Sequence, residues 1–183
     1  YNDKRISGDN TVSCATCHDF QKAGTDNQRF AEGIRGQFGD INAPTVFNAA
    51  FNVRQFWNGR AADLQEQAGG PPLNPIEMGS KNWDDVCAKF AQDAELTVAF
   101  TAVYPDGWSG KNITDAIAEY EKTLITPNSR FDKWLKGDDA ALTDKEVEGY
   151  QRFKMYRCSS CHVGKSVGGQ SFEYMDLKKD YFA

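Results

Sequence analysis

Four of the chain's five cysteines and both of its histidines fall in two pentapeptides, Cys14-Ala15-Thr16-Cys17-His18 and Cys158-Ser159-Ser160-Cys161-His162. Two thiols three residues apart share one helical turn, where each can add to a vinyl group of a porphyrin. The histidine that follows then meets the iron as its proximal ligand. Cys-x-x-Cys-His is accordingly the attachment signature of c-type haem. Paired cysteines also mark zinc sites and dithiol redox centres. A structural zinc would bring both pairs together and needs no histidine directly after each. A thioredoxin-like dithiol belongs in a βαβ pattern, which this chain lacks. Two clusters that each end in histidine, with no third histidine in the chain, point to two covalent haems. Thioethers would form at Cys14, Cys17, Cys158 and Cys161, with iron on His18 and His162. These histidines stand 162 − 18 = 144 residues apart, which suggests one haem per lobe.

The remaining composition narrows the class. The chain has 183 residues, 40% hydrophobic and 26% charged, which excludes collagen-like, disordered and disulfide-scaffold proteins. No stretch approaches the 18 or so apolar residues of a membrane span. The net charge is 21 − 26 = −5. That argues against nucleic acid or anionic lipid as a partner and leaves small molecules or proteins with a basic face. The chain opens on Tyr1, with no signal-like apolar stretch before the first cluster, and reads as a mature or trimmed product. Haem attachment of this type is made outside the bacterial cytoplasm, so a periplasmic location is expected.

The elements that must position these groups read as mainly α. Residues 19–81 carry Gly and Pro throughout and read as irregular. Asn82 is an N-cap candidate ahead of Trp83, Val86, Phe90 and Ala94 at helical spacing. A second helix is expected near Asn112, with a stripe of Ile113, Ile117, Tyr120 and Leu124, ended by Pro127. Thr143-Asp144-Lys145-Glu146 fits a capping box, and Leu142 and Val147 are placed as its hydrophobic staple. That helix should run through Tyr150, Phe153 and Met155 to the second cluster. Lys136-Gly137-Asp138-Asp139 reads as the link before it.

Between the two clusters lie Asn42-Ala43-Pro44-Thr45-Val46-Phe47-Asn48, Gln55-Phe56-Trp57-Asn58-Gly59-Arg60, Gln67-Ala68-Gly69-Gly70-Pro71 and Pro75-Ile76-Glu77-Met78. In this order, with both haem motifs, the set closely resembles the bacterial di-haem cytochrome c peroxidases. That family also contains the di-haem enzyme that matures tryptophan-derived quinone cofactors. The resemblance implies two cytochrome-c-like domains, 1–137 peroxidatic and 138–183 the start of an electron-transfer domain that is incomplete at its C-terminus. It implies a peroxidatic haem at His18, an electron-storing haem at His162 and a calcium ion with Asn42 as one ligand. Glu77 matches the catalytic acid–base, Gln67 its distal partner and Trp57 the aromatic residue between the haems. Hydrogen peroxide is the implied substrate, with a small cytochrome c or copper protein as electron donor, and a homodimer is compatible with it.

Three departures accompany the likeness. The family has an earlier helix, and it continues beyond the 183 − 162 = 21 residues that follow His162 here. The axial Met of the second haem and further calcium ligands belong to that continuation, so the chain reads as a partial one. Many members also block the first iron with a histidine, at a position near Ile34 and Arg35, where this chain has none.

The same residues have plainer readings. Glu77 alone would be a surface carboxylate, Gln67 a solvated helix end, and Trp57, Phe47, Phe51 and Phe56 core aromatics. Cys87 reads as a buried inert thiol and Met155 as core. Met175 could ligate iron but reads more simply as packing, and Lys178 and Lys179 as a solvated pair. The rival functions are a non-enzymatic di-haem electron carrier and a relative that oxidises protein side chains.

Overall fold

The computed structural model describes residues 1–169; Met175, Lys178 and Lys179 lie outside them. The chain divides into two units, Tyr1–Ala50 with Arg54–Ile125, and Phe51–Val53 with Thr126 onward. Among the described residues there are helices and three isolated antiparallel bridges, but no strand. No described helix is long and apolar enough to cross a membrane.

The first unit contains α1 (Cys14–Cys17), α2 (Leu64–Ala68), α3 (Trp83–Phe90), α4 (Ala94–Val103) and α5 (Gly110–Glu121). As expected, residues 19–81 hold little regular structure, only α2 and short 3₁₀ turns. The Asn82 side chain accepts the Asp85 N–H at 2.8 Å, which starts α3 where the sequence placed it. Ala94 does not continue that helix. A new cap, Asp93, accepts the Leu96 N–H at 3.0 Å and opens α4 instead. Helix α5 begins at Gly110 under the Ser109 cap, two residues before Asn112. It ends at Glu121, ahead of Pro127, in a turn closed by Lys122, Thr123 and Leu124 N–H bonds.

Ile6, Val12, Ile34, Ala68, Met78, Val86, Phe90, Ile113 and Ile117 form the core of this unit. Helices α2 and α3 both pack on α5. The Phe100 and Trp108 rings stack at 3.8 Å beside Phe90 and close one side of that core. Cys87 is half-buried against it, as expected of a packing thiol.

The second unit contains α6 (Arg130–Leu135) and α7 (Asp144–Met155). The capping box of α7 forms as read: Thr143 Oγ1 accepts the Glu146 N–H, and the Glu146 carboxylate accepts the Thr143 N–H. The same carboxylate is gripped by both terminal nitrogens of Arg130 on α6. Phe131, Trp134 and Tyr150 meet edge-on or tilted at 5.2–5.8 Å and join the two helices. Met155 is 66% exposed, so it is not the core residue its helical position suggested. Phe51 is also exposed, with the Lys165 ammonium 5.0 Å from its ring.

Candidate active site

Helix α1 is a single turn that exists to set Cys14 and Cys17 side by side. Ser13 and Thr16 cap it reciprocally, and the His18 N–H donates to the Cys14 carbonyl at 2.9 Å. The His18 ring is then fixed from behind. Its Nδ1 lies 3.2 Å from the Gly24 carbonyl oxygen. A carbonyl only accepts, so Nδ1 carries the proton and Nε2 keeps its lone pair. Gly24 has φ +76° and packs against Thr45, Val46 and Phe47, where a Cβ would meet Thr45 Oγ1 at 3.0 Å. Glycine is therefore required at the position that supplies this carbonyl.

The second cluster repeats the device. The His162 N–H donates to the Cys158 carbonyl at 3.0 Å, and His162 Nδ1 lies 3.2 Å from the Val167 carbonyl. Here the cysteines and histidine are exposed. In both units a histidine presents an unprotonated Nε2 beside two cysteines, which is the donor set a covalent haem requires. Burial pushes the Cys14 and Cys17 thiols up to about 11, so this environment favours uncharged sulfur, as in a thioether. Among the described residues no three His, Cys, Asp or Glu side chains converge as a metal-ion site. Asn42 alone falls far short of the six to eight or so oxygens calcium takes.

Glu77 is half-buried in the turn after α2. Cys17 Sγ lies 3.5 Å from the Glu32 carbonyl oxygen, so the loop that packs on the Glu77 turn also touches the first cluster. Burial pushes Glu77 above the ordinary carboxylate value, while the Arg60 charge and an Asn74 hydrogen bond pull it down. Asn74 Nδ2 donates to Glu77 Oε1 at 2.8 Å. The turn is pinned from the other side by residues 33–37. The Ile34 N–H donates to the Glu77 carbonyl at 2.8 Å, and Gln37 Nε2 donates to the Pro75 carbonyl at 3.0 Å. Gly33 lies so close that a Cβ would stand 2.1 Å from the Ile76 carbonyl oxygen. Ile34 itself is buried and Arg35 points into solvent, so this loop brings no nitrogen or sulfur ligand of its own to the iron side.

Gln67 sits half-buried on the last turn of α2. No hydrogen bond joins it to Glu77 among the described residues. The two are linked through the backbone, by Gly70 N–H to the Gln67 carbonyl and Asn74 N–H to the Gly70 carbonyl. Trp57 is not core: it is 58% exposed, and its indole N–H donates to the Asn42 carbonyl at 3.2 Å. Two residues singled out separately by sequence are thus tied together. Both belong to loops, and the Gln55–Ala61 bridge closes the one that carries Trp57 and Arg60. Arg60 stacks on Phe56, 3.3 Å from the ring centroid.

A sequence model of the family described as di-haem cytochrome c peroxidase matches residues 1–140. The chain belongs to the di-haem cytochrome c peroxidase family. It is 59% identical over 181 residues to cytochrome c peroxidase Ccp of Escherichia coli, covering 99% of this chain and 39% of that protein. It is 46% identical over 182 residues to cytochrome c551 peroxidase of Nitrosomonas europaea, covering 98% of this chain and 54% of that protein. A solved MauG-like protein associated with microbial copper homeostasis superposes with TM-score 0.82 at 31% identity, over 92% of this chain and 50% of that one. The chain therefore spans about half the length of the family members it matches, or less.

Sequence reasoning passed over three residues of the site. Asn74 and Arg60 act on Glu77 and lie inside or next to quoted motifs, so proximity in sequence was a signal for both. Glu121 is only 6% exposed and acts electrostatically on Cys14. Its signal was register, because it falls four residues after Ile117 on the buried stripe, whereas Tyr120 of the expected stripe is 37% exposed.

Proposed function

We propose that this protein reduces hydrogen peroxide to water at the haem of His18, with electrons from a small cytochrome c or copper protein. The observation that carries the reading is the half-buried Glu77 carboxyl, on a turn fixed by Asn74 on one side and on the other by the loop that touches Cys17. Bound at His18, an open haem iron supplies a centre that binds peroxide and accepts an oxygen as the O–O bond breaks. Peroxide cleavage also needs a group that moves a proton from the near oxygen to the far one. Glu77 is that group. It takes the proton from the oxygen nearer the iron and returns it to the other, which leaves as water, so Glu77 ends as it began. Overall, hydrogen peroxide, two electrons and two protons give two waters.

Gln67, on the turn that leads to Asn74, orients the peroxide on the same side. Trp57 carries an electron from the haem of His162, its exposed ring held by the Asn42 carbonyl. The peroxidatic domain is the unit that carries His18, and the unit that carries His162 begins the electron-transfer domain, with α6 on the side of α7 and not within a first domain ending at 137. The location is the periplasm, where covalent haem of this type is made. Calcium at Asn42 would have to draw its other oxygens from elsewhere, and no step depends on it.

Replacing Glu77 with Gln keeps shape and removes the titratable group. General acid–base help is worth roughly 10²–10⁴-fold. Glu77→Gln should lose about that factor in peroxide turnover with both haem spectra unchanged. Wild-type turnover by the variant would show that another group moves the proton.

A further inference from the structure

Every polar atom of the Asn74 side chain is committed. Its Oδ1 accepts the Ile76 N–H at 2.9 Å, an Asx turn that shapes the segment carrying Glu77. Since a backbone N–H only donates, the amide cannot be flipped, and Nδ2 must face the Glu77 carboxyl. There it donates to Oε1 at 2.8 Å. The Asn74 carbonyl accepts the Met78 and Gly79 N–H groups at 3.1 and 2.8 Å and locks the same turn. Glu77 Oε2 has no hydrogen bond among the described residues.

We propose that Asn74 is the positioning residue of Glu77, its amide holding Oε1 so that Oε2 alone faces the peroxide and carries the proton. The proposal rests on Glu77 being the proton shuttle. A shuttle must be ionised when peroxide arrives, and burial works against that. Two groups oppose burial: the Nδ2–H bond of Asn74 and the positive charge of Arg60. The other group electrically coupled to Glu77 is the Cys17 sulfur, which no longer titrates once it is a thioether. Asn74 therefore sets both which oxygen reacts and how far down in pH the carboxyl stays charged.

Two variants separate this role from turn-building. Asn74→Ser and Asn74→Thr each keep a hydroxyl oxygen that can accept the Ile76 N–H, and neither is long enough to donate to Glu77 as the amide does. In the haem-loaded full-length protein, the acid limb of the kcat/KM profile for peroxide should move up by about one unit. Turnover on the acid side should fall about tenfold for each. Haem spectra and thermal stability should stay near wild type. In a Glu77→Gln background either substitution should cost nothing further. If Glu77→Gln is impaired but the acid limb of both Asn74 variants stays where it is, Asn74 only builds the turn and the proposal fails. If Glu77→Gln turns over normally, the shuttle reading itself falls. A variant that accumulates poorly is replaced by a direct measurement, infrared titration of the Glu77 carboxyl against Glu77→Gln. An Asn74 amide band that does not shift as Glu77 ionises in the wild type would equally overturn the proposal.

Discussion

At the scale of single residues, the chain spends unusual care on holding groups that face away from the core. His18 and His162 each have Nδ1 on a backbone carbonyl, and Glu77 has one oxygen on Asn74. The candidate haem residues stand out in the sequence because covalent attachment asks for one characteristic spacing. Glu77 was legible only through the resemblance, since a Glu between Ile76 and Met78 is indistinguishable from a surface carboxylate. Trp57 was misjudged as core because ring size argues for burial, and only the loop's closure at Gln55 and Ala61 turns it outward. Gly33 carries a prediction at this scale. Alanine there drives a Cβ into the Ile76 carbonyl, so the turn bearing Glu77 must shift. Gly33→Ala should cost about 1–3 kcal/mol in stability, the usual range for overpacking. It should also lower peroxide turnover, read by thermal melts and initial rates of the same sample.

At the scale of elements, the capped helices were the most legible part. Asn82 and Thr143 sit at the N-caps the sequence indicated because side-chain oxygens there satisfy otherwise orphaned N–H groups. Helices α4 and α6 escaped notice for physical reasons. Thr97, Val98, Thr101 and Val103 give α4 poor intrinsic propensity and apolar residues on every side, while α6 has only 6 residues, too few to show a period. Thr143→Ala should destabilise the second unit by about 1 kcal/mol, measured by chemical denaturation. Glu146, held by Arg130 and Thr143, is lowered to about 2 from an ordinary 4.5. The folded state thus binds this proton more weakly than the unfolded chain. Its stabilising share is present above 4.5 and is lost as pH falls toward 2. Glu121 has the opposite sign. Burial lifts it from 4.5 to about 7, so its contribution is full below 4.5 and is lost as pH rises through 7. Glu121→Gln should flatten the fall in melting temperature over that window.

At the scale of the whole molecule, the two units carry one Cys-x-x-Cys-His cluster each. Their environments differ: His18 is half-buried and His162 exposed. Intact-mass spectrometry of the denatured holoprotein should show two haems retained, through Cys14, Cys17, Cys158 and Cys161. A bare polypeptide mass would remove the basis of the functional reading. The central claim is that the His18 haem keeps an open face. In the proposed function both histidines serve as proximal ligands, and the loop with Ile34 and Arg35 is tied down by Gly33, Ile34 and Gln37 with no strong ligand to offer. Electron paramagnetic resonance of the fully oxidised holoprotein tests this most directly. The account predicts a high-spin ferric signal from the His18 haem that is abolished by adding a strong-field ligand such as cyanide. Two low-spin haems with strong-field axial pairs, and no high-spin component, would contradict it.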